Sequence, residues 1–202
     1  MEAKGWERLA YIWITLLTIA LSIRQLGSWR MALSSCVTYS HQVVLMMFVW
    51  WLLSVWYPRA VWLNRIQPVL LIYGMVSLVV WVGLTEMTPI LRGMSNVQLM
   101  CQVMVHIWVP MAYFLDWYTS RQPNGNMTLS DPFNPLKTPF NWVMGYPCLY
   151  AIFIHIVSRR RGYAIYPFLD HVGGQVTIFF IFVLVYLWVW WMSSRRLVTR
   201  QQ

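Results

Sequence analysis

A hydroxyl and an imidazole held together away from bulk water can do nucleophilic chemistry, and this sequence supplies candidates for both. His106 lies near the middle of residues 97–117, VQLMCQVMVHIWVPMAYFLDW, an apolar stretch long enough to cross a bilayer, with Pro110 one turn later. An ionisable side chain at such a depth points to a functional site. A neutral imidazole there keeps one ring nitrogen free as a base, a ligand or an acceptor. Thr38 and His41 stand near the start of the second apolar stretch, His155 near the end of the fifth, and Asp170 and His171 just before the sixth. If each stretch crosses once, the second and fourth run in the same direction, and all four histidines gather in one half of the membrane. At about 1.5 Å rise per residue, His106 lies on the order of 13 Å below the start of its span. Thr38 lies roughly 10 Å deep if its span begins near Met31, and only a few Å deep if it begins at Cys36.

Composition demands helices of that kind to position these groups. Hydrophobic residues make up 59% of the 202 and charged residues 10%, against about 25% charged in soluble proteins. Mean hydropathy is +0.52. These values describe a polytopic membrane protein whose partner is the lipid bilayer. The net charge of +9 is read as loop Arg and Lys at lipid headgroups. No basic, aromatic-interleaved soluble surface exists to bind nucleic acid. Cys36, Cys101 and Cys148 fall inside apolar segments, and an odd buried set is read as packing residues rather than disulfides.

The expected fold is all-α, a six-transmembrane-helix bundle in one membrane domain, with spans at about 9–26, 33–56, 69–84, 97–115, 142–157 and 176–192. Thr15, Thr18 and Ser22 share a face of the first span, as a stripe facing a bundle would, which favours a retained helix over a signal peptide. Tyr57 and Pro58 end the second span, and Gly74 and Ser77 allow close contact in the third. The connection after Asp116 is rich in Pro, Gly, Asn and Ser and carries an Asn126-Met127-Thr128 sequon. Nine Lys and Arg lie on the side of the termini against six on the other, which favours cytoplasmic termini.

Each candidate also has a plain structural reading. His106 can donate to a carbonyl freed by Pro110, Thr38 can back-bond within its helix, and His41 and His155 can snorkel at helix ends. Arg159 to Arg161 can anchor at headgroups, Tyr166 to His171 can form a capping turn, and the fourteen Trp residues can form an interfacial belt. Two further classes of function stand beside a catalytic one. His41, His106 and His155 on facing helices can bind haem or a metal. Alternatively, the chain is a non-catalytic scaffold or transport component, although it shows no inverted repeat and few intramembrane charges.

The segment Gly162-Tyr163-Ala164-Ile165-Tyr166-Pro167-Phe168-Leu169-Asp170-His171 resembles the GxxxYPFL(E/D)H signature of the androgen-induced gene and androgen-dependent TFPI-regulating protein family. His106-x-x-x-Pro110 followed by Leu115-Asp116-Trp117 is similar to the fourth span of that family's bacterial relatives, and Val37-Thr38 sits where the family has an aromatic-Thr or Leu-Thr pair. The resemblance covers nearly the whole chain, although Ser40, His41 and Gln42 replace the Ser-Asn pair common after the Thr. It implies six spans and intramembrane hydrolysis of fatty acid esters of hydroxy fatty acids, with Thr38 as nucleophile and His106 as its base. Such a pair needs no cofactor or metal. A threonine hydroxyl attacks only when a base takes its proton, giving an acyl-threonine that water then releases. Asp170 would orient His106 if its loop folds inward, with His41 and His171 in support. Tyr166, Gln42 and Asn96 are candidate oxyanion donors.

Overall fold

Helix ends in this chain fall where the sequence supplies caps and breakers. The computed structural model describes residues 3–26, 38–58, 60–87, 95–120, 140–162 and 171–198, and every element among them is a helix. Helix α1 is Ala3–Leu26, α2 is Tyr39–Trp56 and α3 is Val61–Met87. Helix α4 runs from Asn96–Val103 through a π-helical turn at Met104–Trp108 into Val109–Ser120. Helix α5 is Phe140–Arg161 and α6 is Val172–Val198.

The expected Tyr57-Pro58 stop ends α2 at Trp56, with the Tyr57 amide still donating to Leu53 O. At the start of α4, Ser95 and Gln98 form a reciprocal capping box: Ser95 Oγ accepts from the Gln98 amide and Gln98 Oε1 from the Ser95 amide. Gly162, at φ 72°, follows α5 in the left-handed conformation that glycine adopts without a Cβ penalty. Helix α3 starts at Val61 rather than near Val69, because Pro68 is carried inside it. Neighbouring helices re-satisfy the backbone around a membrane proline, so the breaker does not break.

Four helical stretches, Tyr39–Trp56, Ile66–Gly83, Asn96–Thr119 and Val172–Met192, are long and apolar enough to cross a membrane. Leu45, Val49, Val79, Val82, Met111 and Leu115 turn outward from the second to fourth helices. Lipid, not water, suits such a surface. These features fit an integral α-helical membrane protein.

The chain divides into two units, Met1–Gln122 and Pro123–Gln202. In the first, α2 packs on α1 and α3, α3 on α4, and α4 on α1, closing a ring of four helices. Thr15 and Thr18 are buried in it, as the expected polar stripe requires, and each hydroxyl donates to the carbonyl four residues earlier. The side chain of Ser22 lies outside the described residues. Gly74 lets three helices meet: a Cβ there would overlap the terminal methyl of Met47 on α2 and reach Pro110 Cβ on α4 at 3.5 Å. The second unit contains α5 and α6, with Arg159, Arg160 and Arg161 in the last turn of α5, where cations complement the helix dipole.

One end of the four-helix ring is tied by a buried carboxylate. Asp116 is 2% exposed; its Oδ1 lies 3.3 Å from Arg8 Nε and its Oδ2 accepts from Trp51 Nε1 at 3.0 Å. The Arg8 guanidinium sits 5.1 Å from the Trp50 ring centroid, and Trp50 Nε1 donates to Leu63 O at 2.8 Å. Tyr113 packs on both Trp50 and Trp51. The expected aromatic belt is therefore only part of the tryptophan story. Trp56 and Trp62 are exposed near helix ends, while Trp50, Trp51 and Trp117 are core residues.

Asp116→Ala removes the carboxylate that Arg8 and Trp51 share in an apolar interior, and the expected loss is about 3–5 kcal/mol. Asp116→Asn, which keeps an acceptor for Trp51, should cost less. Thermal unfolding of the two variants in detergent measures the difference, and a wild-type midpoint for Asp116→Ala would contradict this role.

Candidate functional site

Thr38 is the N-cap of α2, with extended backbone (φ −75°, ψ 143°) and Thr38 O accepting from the Gln42 amide at 3.2 Å. An N-cap threonine ordinarily turns its hydroxyl onto the amides of the first turn. Here the side chain makes no capping bond, and Thr38 Oγ1 instead lies 2.6 Å from Nδ1 of His41. Spacing of three residues across the first turn puts the two side chains on one face. Four other described threonines, Thr15, Thr18, Thr119 and Thr177, each donate at 2.8 Å to the carbonyl four residues back. Residues 33–37 of the expected second span lie outside the described residues.

His106 sits inside the π turn of α4, and Pro110 explains why the turn is there. Proline has no amide to give the carbonyl of His106, and in a regular helix its ring would crowd that carbonyl. Widening the helix by one residue relieves the clash, with Val109 N–H donating to Met104 O five residues earlier. The imidazole is not spent on a carbonyl freed by Pro110. Its Nδ1 lies 3.4 Å from Ser77 Oγ on α3, and Ser77 donates to Ser40 Oγ on α2 at 2.9 Å. Trp81, one turn along α3 from Ser77, stacks on the His106 ring at 5.4 Å between centroids and 10° between planes.

One face of α3 thus serves the site at successive turns. Tyr73 meets Tyr39 edge-on at 6.5 Å, Ser77 joins Ser40 to His106, and Trp81 covers His106. Ser40 and Ser77 are buried, whereas Thr38, His41 and His106 are half-buried and keep some accessible surface. Two linked groups result: Thr38 with His41, and Ser40, Ser77 and His106 with Trp81.

The level of this site within the bundle follows from register. Trp51 reaches Asp116 across 65 residues, and Ser40 reaches His106 through Ser77 across 66, so α2 and α4 run parallel at nearly constant offset. Helix α4 starts at Asn96 and α3 ends at Met87, each ten residues from its contact at the site. The start of α2 is therefore roughly 15 Å inside the ends of its neighbours. A helix beginning inside a bundle needs its first-turn amides met by protein groups or by a cavity.

Of the expected site residues, the structure brings Thr38 against His41 and joins His106 through Ser77 to Ser40, one residue from His41 in the sequence. It adds Ser40, Ser77 and Trp81, which no sequence signal marks; the size of Ser77 points only to close packing. His155 is exposed on α5 and His171 is exposed just before α6, both in the second unit. Tyr166 and Asp170, with the whole Tyr-Pro-Phe-Leu-Asp segment, lie outside the described residues, as does Cys36. Cys101 is buried in α4 and Cys148 is exposed on α5. No group of three His, Cys, Asp or Glu side chains able to hold a metal occurs among the described residues.

The Ser40–Ser77 bond is buried and side chain to side chain, so losing one partner leaves the other hydroxyl without its mate. Ser40→Ala should cost about 1–3 kcal/mol. The Ser40→Ala, Ser77→Ala double variant should lose less than the sum, with a coupling of about 0.5–3 kcal/mol in a double-mutant cycle of detergent unfolding. Strict additivity would mean that the two hydroxyls do not interact. In comparisons with protein-family models, curated proteins and solved structures, no match to this chain was found.

Proposed function

We propose that the chain is a six-span integral membrane hydrolase of lipid esters, with cytoplasmic termini and Thr38 as its nucleophile. The observation that carries this reading is the 2.6 Å contact between Thr38 Oγ1 and His41 Nδ1 at a helix start set deep in the bundle. The Thr38 hydroxyl faces a base.

Thr38 Oγ1 attacks the ester carbonyl carbon as its proton passes to His41 Nδ1. The positive end of the α2 dipole favours the oxyanion that forms beside it. Collapse expels the alcohol, which takes the proton from His41 and leaves an acyl-threonine. Water then adds to the acyl carbon while His106 takes a proton, and collapse returns the proton to Thr38 and frees the fatty acid. By resemblance the ester joins a fatty acid to a hydroxy fatty acid. A substrate with two long apolar arms suits a site reached from lipid.

This reading keeps Thr38 and His106 in the roles the resemblance implies, with one change. The contact geometry favours His41 as the base for the first proton transfer, and His106, bonded to Ser77, serves the water step.

Purified protein in detergent should label at Thr38 with a fluorophosphonate probe, located by mass spectrometry, and Thr38→Ala should lose both label and ester hydrolysis. His41→Ala should slow acylation by roughly 10²–10⁴-fold, the range of general-base catalysis. His106→Ala should instead let acyl-Thr38 accumulate, visible as a mass increment on that peptide. Hydrolysis retained in Thr38→Ala would remove Thr38 as the nucleophile. A folded protein that neither labels nor hydrolyses would move the chain to a scaffold or cofactor-binding role.

A further inference from the structure

The first side-chain torsion of a histidine settles into a staggered well, but the second turns the imidazole about a broad, roughly two-fold profile. The rotamer therefore does not set the plane of the ring, and a neighbour must. For His106 that neighbour is Trp81. The two rings lie 5.4 Å apart between centroids and 10° from parallel. A turn of the imidazole away from that plane drives its edge into the indole or opens a gap beside it, and a gap forfeits the dispersion contacts of both faces. Ser77, one turn earlier on the same face of α3, places its Oγ 3.4 Å from Nδ1 at the edge of the ring, whichever of the two atoms carries the proton.

Trp81 is itself well placed to hold a neighbour. Two turns before it, Gly74 sets α3 against Met47 of α2 and Pro110 of α4. An indole offers a large rigid face and has only two side-chain torsions to order. That face also carries the negative side of the ring quadrupole, which attracts a cation within about 6 Å of the centroid. A neutral imidazole gains packing from such a stack, whereas an imidazolium gains charge stabilisation as well. Among the described residues no carboxylate pairs with His106. The titratable group that bears on it from α2, His41, can supply only positive charge. A positive charge formed among apolar helices is costly unless something meets it. The indole face does.

From this geometry we infer that Trp81 is a positioning residue: its indole fixes the plane of the His106 imidazole and meets the positive charge that the ring takes on with a proton. The role in hydrolysis rests on the reading of the chain as an ester hydrolase, whereas the fixed ring does not. Within that reading, His106 becomes an imidazolium as water adds to acyl-Thr38, and the stack lowers the barrier to that step.

The test uses the full chain, labelled with ¹³C-histidine, in detergent micelles. The His106 signals are assigned by their loss in His106→Gln. Protons held over an indole face are shielded by its ring current, so the ring C–H signals of His106 should lie upfield of those of free histidine. Trp81→Leu should return them most of the way, and Trp81→Phe, which keeps an aromatic face, should retain part of the displacement. On a lipid ester, Trp81→Leu should lower kcat about 2- to 30-fold with KM within about twofold, the range that a cation–π contact spans between exposed and desolvated surroundings. Acyl-Thr38 should then accumulate, and Trp81→Phe should recover part of the rate. Wild-type His106 signals at the positions of free histidine overturn the inference even if no variant folds, and so does a Trp81→Leu protein that hydrolyses at the wild-type kcat. A wild type that shows the stacked pattern but hydrolyses no lipid ester supports the fixed ring and refutes the hydrolase reading.

Discussion

The register between α2 and α4 is the constraint on which the site depends. These parallel helices are tied at one end by the Trp51 indole on Asp116 and at the other by the Ser40–Ser77–His106 chain. In an apolar bundle, packing alone discriminates weakly between registers, because one aliphatic ridge fits a groove much as the next one does. Buried polar pairs discriminate strongly, since a slip of one residue leaves a carboxylate or hydroxyl in the apolar core without its partner. With the Asp116 end locked by Arg8 and Trp51, the first turn of α2 has only one place to stand relative to the middle of α4. That place is beside His106.

Close approach is the second requirement, and small residues meet it on α3. Gly74 admits Met47 from α2 and Pro110 from α4, and Ser77, one turn on, has a side chain short enough to bridge the same two helices. Pro110 contributes twice. It packs against the Gly74 position, and its missing amide opens the π turn that carries His106. The features that let three helices converge therefore also shape the helix that presents the imidazole.

Much of this was legible in the sequence, and the limits have physical causes. The helical class, the Tyr57-Pro58 stop and the Thr15 and Thr18 stripe follow from local pattern, because hydropathy, breakers and periodicity act over a few residues. Gly74 and Ser77 were readable as contact residues, since their size alone says so. What they contact was not, because that depends on pairing α3 with α2 and α4. Asp116 looked like the edge of a polar connection, and only the return of Arg8 from α1 makes it a buried counter-charge. Trp81 was one of fourteen tryptophans, and nothing in its neighbours marks it as the one that covers His106. The deep start of α2 was hidden for the same reason: depth is relative, and it appears only when Ser40 is set against residues 66 positions away.

The two histidines differ in a way that residue type cannot express. For Thr38 to act as nucleophile its hydroxyl must donate to His41, so His41 offers a bare Nδ1 and carries its proton on Nε2. His106 has a different partner, with the buried Ser40–Ser77 pair at its Nδ1 and Trp81 stacked on its face. A single imidazole serving both halves of an acyl transfer must release one group before it engages the next, and it must face both. In the proposed hydrolysis, two imidazoles, one on the helix that Thr38 caps and one across the bundle, would divide that task. Each then needs only the orientation that its own neighbours enforce. Such a division would require two helices held in fixed register instead of one mobile side chain. It also explains why the serines between those helices, which touch no substrate in the mechanism, are buried as firmly as the core.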